Sequence, residues 1–253
     1  MHDIRTHSFQ FSKLRSARSA DEYALHIAAL EWSLDAPITI SGEQDILSRG
    51  EWDGRFEPYA HQVRNLITFC RLAPVALLAD DVGLGKTISA GLIVSELMVR
   101  RKVDRVLVVA PKLLLPQWRE EMIEKFGIPA TCETGTGLRS ALQRQTPIVI
   151  TTYQSLGRVL DLLAKSNFDM VILDEAHKLR NLHGTSKPPK FAVGIRNALE
   201  DRVFKYVLML TATPIQNRLW DLYSLIDLLT VAKGNANPLG DPVEFKADYI
   251  QDS

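Results

Sequence analysis

Five short runs of apolar residues, each followed by a longer amphipathic or polar stretch, constrain the fold of this chain more than any other feature. The runs are VALLA (75–79), RVLVVA (105–110), PIVITTY (147–153), MVILD (170–174) and KYVLMLTA (205–212). Unbroken Val/Ile/Leu runs are typical of strands buried on both faces, and helices between them favour parallel pairing. From about residue 56 the sequence therefore predicts one α/β domain, with a parallel sheet covered by helices on both faces.

Four of these runs precede stretches with the spacing of amphipathic helices. The stretches are KTISAGLIVSELMVRR (86–101), LPQWREEMIEKF (115–126), LGRVLDLLAKS (156–166) and RLWDLYSLIDLLT (218–230). A basic loop follows the run at 170–174, and we interpret ETGTGLRS (133–140) as a surface turn. Ligands of doubly wound sheets bind at the carboxyl ends of the strands, so the segments just after the strands form the candidate site.

The first 55 residues have a different pattern, and we predict that they form a separate, mostly helical lead-in. SADE (19–22) fits a capping box, and Tyr23, Ile27, Leu30 and Leu34 recur at helical spacing. The turn-rich stretch 41–58 is interpreted as a linker or a flap over the next domain. The predicted domains are therefore residues 1–55 and 56–253.

The charge distribution leaves the type of partner open. The 253 residues have a formal net charge of zero, so no global field indicates nucleic acid. Residues 177–205 nevertheless carry seven Lys/Arg and two Asp/Glu. This local excess fits either a surface that meets phosphates or an ordinary solvated basic face.

Cysteine usage and hydropathy bear on location. Cys70 and Cys132 give neither a disulfide framework nor metal-ligand spacing, which favours a reducing compartment. The N-terminus lacks the apolar core of a signal peptide, and the apolar runs are too short to span a bilayer, so no membrane partner is expected. His177 has no second His or Cys at ligand spacing, so we expect no zinc site.

The segment DDVGLGKT (80–87) ends like a phosphate-binding loop between a strand and a helix. Gly83 and Gly85 would let backbone N–H groups turn toward phosphates, with a helix N-terminus behind them. Lys86 would then reach the β- and γ-phosphates, and the Thr87 hydroxyl would bind Mg²⁺. Asp80 stands where the motif normally has its first glycine, so a plain glycine turn into a helix is the alternative.

The run VILDEAH (171–177) places two acids at the end of a buried strand. A nucleotide hydrolase needs one carboxylate for Mg²⁺ and another that orients and deprotonates the attacking water. These roles fall to Asp174 and Glu175. The alternative is a pair of surface acids that cap the following loop.

Two further segments carry candidate polar groups. In LTATPIQN (210–217), Thr211 and Thr213 can sense a γ-phosphate, or they can simply end a strand before Pro214. In YAHQ (59–62), the Gln62 amide can read an adenine edge beside a stacking aromatic ring, or it can be an ordinary residue of a helix start.

Taken in order, these motifs resemble superfamily-two helicases and, more narrowly, the Swi/Snf family of DNA-dependent ATPases. The resemblance is carried by LADDVGLGKT (78–87), VVAPKLLLPQW (108–118), VITTYQSL (149–156), LDEAHKLRN (173–181) and LTATPIQNRLWDLYSLIDLL (210–229). It covers about residues 56 to 250 and implies a RecA-like P-loop domain. In this family the loop also carries an acid where the phosphate-binding motif normally has its first glycine. Asp80 is therefore expected at this position.

The resemblance implies ATP and Mg²⁺ as cofactors and double-stranded DNA as a partner. The implied nucleotide-binding residues are Gln62, Gly83, Leu84, Gly85, Lys86, Thr87 and Ile88. Lys86, Asp174 and Glu175 would be catalytic, with Thr87 and Asp174 at the metal. The DNA-backbone contacts would be Lys112, Thr151, Thr152, Lys178 and Arg180, and the coupling motif would contain Thr211, Thr213 and Gln216.

The family also has a second RecA-like lobe, whose arginine accelerates hydrolysis by orders of magnitude. Only 24 residues follow Leu229, so we expect a first lobe that binds ATP and hydrolyses it weakly on its own. We expect a cytoplasmic, nucleoid-associated protein in a bacterium or a nuclear one in a eukaryote. Two alternatives stay open: a nucleotide-binding module that docks a protein partner, and a restriction-type or RNA-directed helicase lobe.

Overall fold

Six parallel strands form the central sheet of the protein, in the order β1-β6-β5-β2-β4-β3. The strands are β1 Val75–Leu78, β2 Val106–Val109, β3 Ala130–Cys132, β4 Ile148–Thr151, β5 Met170–Leu173 and β6 Tyr206–Leu210. The computed structural model describes residue 19 and residues 38–81, 83–183, 188–213 and 219–250. The parallel sheet with helices around it confirms the predicted α/β fold class.

Helices connect the strands and flank the sheet. The α-helices are α1 Arg49–Trp52, α2 Ala60–Leu72, α3 Lys86–Val99, α4 Leu115–Glu124, α5 Gly137–Gln143, α6 Tyr153–Leu156, α7 Lys190–Glu200, α8 Leu219–Lys233 and α9 Pro242–Tyr249. Short 3₁₀ helices span Glu43–Asp45, Lys112–Leu114, Leu160–Lys165 and Ala176–Leu182. The last of these occupies the segment predicted as a basic loop.

The core follows from the unbroken apolar composition of the strands. Every residue of β2, β4, β5 and β6 is buried, as expected for strands covered on both faces. α3 is buried at every position from Ile88 to Leu97, so it is an interior helix, packed against α2 and α4. α8 packs against α7, β1 and the 3₁₀ helix Ala176–Leu182.

Among the elements that were not predicted from the sequence, three have a clear physical reason. The edge strand Ala130–Cys132 has only three residues and no aliphatic run. The segment 133–140, predicted as a surface turn, contains the beginning of α5 from Gly137 onward, so that prediction was wrong for its second half. α7 lies in the basic stretch, where charge obscured a helix that buries Ala192, Ile195 and Leu199. α9 follows Asp241, whose carboxylate accepts the N–H groups of the first turn.

Residues 39–55 belong with the α/β unit, although a boundary was predicted at residue 55. Residues from 39 onward cluster with the sheet in one compact unit. Trp52 and Ile46 are buried, and the backbone N–H groups of Leu47 and Ser48 donate to the carboxylate of Glu96 on α3. Polar, turn-rich composition concealed these few anchoring side chains. The helix predicted over residues 23–34 lies outside the described residues.

No helix among the described residues is both long enough and apolar enough to cross a membrane.

Glu96 is the polar anchor of residues 39–55, and its loss should be costly. Its side chain is fully buried and pairs with Arg100 at 2.7 Å besides accepting the two backbone N–H groups. We expect Glu96→Ala to lower the free energy of unfolding by about 3–5 kcal/mol, because it leaves buried donors unpaired. Urea denaturation measures this. The matched control is Glu200→Ala, since Glu200 forms the same i,i+4 pair with Arg196 but is 57% exposed. Glu200→Ala should lower the free energy of unfolding by less than about 1 kcal/mol. Equal losses of stability in the two variants would contradict the anchoring role of Glu96.

Candidate active site

The sheet brings the three predicted motifs to one edge. In the parallel register Leu78 is level with Leu210, and Leu173 is level with Met209. The loop after β1, the Asp174–Glu175 pair after β5 and the Thr211–Thr213 segment after β6 therefore emerge side by side. Backbone pairing continues past the strands, since the Thr211 N–H donates to the Leu78 carbonyl at 3.1 Å.

The loop after β1 has the backbone geometry of a phosphate cradle. Gly83 (φ +85°) and Gly85 (φ +73°) both adopt left-handed conformations that side chains disfavour. α3 begins at Lys86, so its first N–H groups face the loop. The Lys86 ammonium donates to the carbonyls of Asp80 and Asp81 at 3.0 and 3.1 Å, which holds it over the loop.

Asp80 ties this loop to the two helices behind it. Its carboxylate accepts a 2.7 Å hydrogen bond from Asn65 Nδ2 on α2, and the same amide nitrogen lies 3.2 Å from Ser89 Oγ on α3. An acid at the Walker glycine position thus has a defined structural partner. Asn65 was not predicted, because nothing in the sequence pairs a residue of α2 with the loop.

The Gln62 amide is engaged with backbone on both sides. Its oxygen accepts the N–H of Tyr59 at 2.9 Å, and its nitrogen donates to the carbonyl of Leu84 at 3.2 Å. His61 Nε2 lies 2.9 Å from the same carbonyl. Gln62 is buried, whereas Tyr59 is 70% exposed and its ring stacks on His61. In this structure Gln62 holds the loop, and Tyr59 is the exposed aromatic surface beside it.

Asp174 is a buried carboxylate with two fixed donors. Trp118 Nε1 donates to Oδ2 at 2.8 Å, and the N–H of Glu175 donates to Oδ1 at 2.9 Å. Burial raises the pKa of Asp174, while the Trp118 hydrogen bond and the charge of Lys86 oppose that rise. The charge of Lys86 therefore acts directly on the Asp174 carboxylate at the carboxyl ends of the strands.

Glu175, His177 and Thr211 form a chain of contacts between two of the motifs. Glu175 Oε2 lies 3.0 Å from His177 Nδ1, which lies 3.4 Å from Thr211 Oγ1. The Thr213 N–H donates to that hydroxyl at 3.2 Å. Burial lowers the pKa of His177, and the charge of Glu175 partly opposes this. The predicted coupling residue Gln216 lies outside the described residues.

The predicted DNA-contact residues differ in exposure. Lys112 and Lys178 are exposed and Arg180 is half-buried. The Thr151 side chain is fully buried with no partner for its hydroxyl, and the Thr152 hydroxyl caps α6 by accepting the Ser155 N–H. Direct DNA contacts from these two threonine side chains are thus not supported by their positions, because polar residues at a strand end can serve the core and a helix cap instead.

The residues present fit a magnesium nucleotide. Left-handed glycines and a helix N-terminus suit phosphate oxygens, and Lys86 adds a cation. Mg²⁺ is commonly bound by one or two protein oxygens together with substrate phosphates, and Thr87 and Asp174 offer such oxygens. Within the described part of the chain, no cluster of three or more His, Cys, Asp and Glu side chains forms an all-protein metal cage.

Comparison with known proteins decides the family. The model of the SNF2-related domain matches residues 59–246. The chain belongs to the SNF2-related family. A Bacillus subtilis (strain 168) protein named as an uncharacterized ATP-dependent helicase, YqhH, is 40% identical over 178 residues, which are 70% of this chain and 29% of that protein. The predicted Swi/Snf resemblance is therefore confirmed.

Two solved structures share the fold of this SNF2-related chain. The SWI2/SNF2 ATPase core of Sulfolobus solfataricus in complex with dsDNA has a TM-score of 0.61 at 26% identity, and the match covers 79% of this chain and 40% of that one. The same core domain in a second structure gives a TM-score of 0.56 at 25% identity, with 78% and 40% covered. This chain thus spans less than half the length of these relatives. The likeness confirms the RecA-like α/β fold.

The pKa of His177 tests the contact chain at this site. Burial holds this pKa below the ordinary 6.5, and the Glu175 carboxylate raises it. We therefore expect Glu175→Gln to lower it further, as measured by NMR titration of the imidazole ring. The stability that neutral His177 provides should be fully present above the unfolded-state pKa and be lost as pH falls from there through the lowered folded-state pKa. Glu133→Gln, at an exposed pair with Arg144, is the control and should leave the titration unchanged. A rise of the His177 pKa in the Glu175→Gln variant would contradict this geometry.

Proposed function

We propose that this chain is the first ATP-binding lobe of a DNA translocase, which binds Mg-ATP at the β1 loop and contacts the backbone of duplex DNA. The observation that carries the proposal is the placement of Lys86 after β1 and of Asp174 and Glu175 after β5, at the same end of the two strands that flank β6, beside a left-handed glycine loop. The SNF2-related family provides the helicase-like ATPase framework.

Lys86 has the central role in binding. Its ammonium donates to two neutral backbone carbonyls, and anionic phosphate oxygens are stronger acceptors for the same donor. ATP would therefore draw the Lys86 side chain toward the β- and γ-phosphates, while the loop N–H groups contact the phosphates from below. Tyr59, exposed beside Gln62, offers a ring for stacking on the base.

The two acids divide the chemistry. Asp174 and Thr87 would hold Mg²⁺, which neutralises charge on the phosphates. Glu175 would orient the attacking water and accept its proton, since its carboxylate is partly exposed and is held by His177. A second lobe would supply the arginine that completes the site. The chain spans 40% of the length of the similar solved core, which is consistent with one lobe of two.

DNA contact rests on the exposed cations that follow the strands. Lys112 and Lys178 are exposed after β2 and β5, and a related ATPase core was solved in complex with dsDNA. Lysine contacts with phosphates are independent of sequence and weaken with salt. Such binding suits a protein that tracks along a duplex.

Lys86→Ala tests nucleotide binding. Losing one hydrogen-bonded cation costs about 1.5–3 kcal/mol, so affinity for Mg-ATP should fall by roughly 10- to 150-fold. Titration with a fluorescent ATP analogue measures it. Lys125→Ala is the matched control, because Lys125 follows the last residue of α4 and pairs with Glu121 at 3.8 Å instead of with the loop carbonyls. Unchanged affinity in Lys86→Ala would reject the proposed site.

Lys112→Ala and Lys178→Ala test the DNA contact. Each should weaken binding of duplex DNA whatever its sequence, and should reduce the slope of log K against log salt by about one unit. Fluorescence anisotropy at several salt concentrations measures this. Lys233→Ala, an exposed cation at the carboxyl end of α8, should leave the slope intact. Preference for RNA over duplex DNA in competition would instead favour an RNA-directed lobe.

A further inference from the structure

The two segments that follow β2 and β4 each place a buried aromatic side chain against Asp174. The first segment follows β2: Lys112 begins a 3₁₀ helix that runs directly into α4, and Trp118 lies one turn into α4. Trp118 is fully buried and its indole N–H donates to Asp174 Oδ2 at 2.8 Å.

The second segment follows β4. Thr152 caps α6, and Tyr153 is the first residue of that helix. The Tyr153 hydroxyl donates to the backbone carbonyl of Asp174 at 2.7 Å, and the side chain is 1% exposed. Burial raises the pKa of Tyr153 well above its ordinary value, so the phenol stays protonated and remains a donor.

The sheet makes this convergence possible. β2 lies between β5 and β4, and Val109 is level with both Leu173 and Thr151. The Asp174 N–H donates to the Val109 carbonyl, and the Ala110 N–H donates to the Thr151 carbonyl. Asp174 therefore makes three hydrogen bonds to these parts of the chain: its carboxylate with Trp118, its carbonyl with Tyr153 and its N–H with Val109.

We propose that Trp118 and Tyr153 are positioning residues that couple DNA binding to the nucleotide site through their hydrogen bonds to Asp174. The inference rests on the proposed function, because it needs both ligands to bind this chain. A phosphate contact at Lys112 biases the start of α4 and with it the Trp118 indole that donates to the Asp174 carboxylate. Tyr153 holds the backbone carbonyl of Asp174 from the segment after β4, so the residue that would hold the metal is fixed at its backbone while its carboxylate contacts Trp118. Rigid, buried aromatic rings suit this task, since neither can move without moving its acceptor.

The coupling factor between the two ligands is the quantity to measure. It is the ratio of the dissociation constants of a slowly hydrolysed fluorescent ATP analogue with Mg²⁺, without and with saturating duplex DNA. The same factor must appear when DNA affinity is measured with and without nucleotide. Such factors are typically about 5- to 150-fold. We expect Tyr153→Phe, which removes a single oxygen atom, to bring the factor close to one, and Trp118→Phe to reduce it as well.

Two matched variants separate coupling from general packing. Tyr223→Phe removes a hydroxyl that donates to the Gly240 carbonyl at 2.9 Å, and Trp52→Phe removes an indole that donates to Ser48 Oγ at 3.3 Å. Both are buried donors that do not contact Asp174, so both should keep the wild-type factor. The indole N–H resonance of Trp118, assigned from its loss in Trp118→Phe, should also shift when DNA binds.

The outcomes distinguish the two proposals. If the wild-type chain fails to bind Mg-nucleotide or duplex DNA, both the proposed function and this inference are rejected. If it binds both ligands but their affinities are independent, or if Tyr153→Phe and Trp118→Phe keep the wild-type factor, only the inference is overturned. A loss in the control variants equal to that in Tyr153→Phe would also overturn it.

Discussion

The in-register pairing of the parallel strands is the constraint on which the site depends. Because Leu78, Leu210, Leu173 and Val109 end their strands at nearly the same level, the residues that follow them meet at one edge. No single loop carries the site; a glycine turn, an acidic pair and a threonine come from strands far apart in the sequence. A slip of one strand by one residue would turn its side chains to the other face and separate these groups.

Burial of Asp174 shows how the site uses this framework. A desolvated carboxylate is costly unless donors or cations surround it. Here the indole of Trp118, the N–H of Glu175 and the nearby charge of Lys86 perform that task. Glu175, whose N–H makes this bond, adopts a left-handed conformation (φ +51°), which a residue with a side chain adopts at some cost. The strained residue and the fixed carboxylate are thus adjacent in the chain.

How far the sequence predicted this molecule depends on the range of the interactions involved. The five apolar strands and the glycine loop are local patterns, and the strands were predicted close to their observed bounds. The three-residue strand Ala130–Cys132 was missed because pairing with β4, not its own composition, makes it a strand. Asn65, Trp118 and Tyr153 were missed as site residues because their partners lie 15, 56 and 21 residues away, and spacing along a chain does not reveal such contacts.

Asp80 shows why a departure from a motif need not weaken it. A glycine at this position would contribute only backbone freedom, yet the left-handed turns fall at Gly83 and Gly85 instead. The Asp80 carboxylate is turned to Asn65, so its charge is stabilised on the helix side of the loop, while its own carbonyl accepts from Lys86. One residue thus fixes the loop to α2 and holds the lysine over it. The acid replaces conformational freedom at the entrance of the loop with a fixed anchor, and preorganisation of that kind reduces the ordering cost of binding a phosphate.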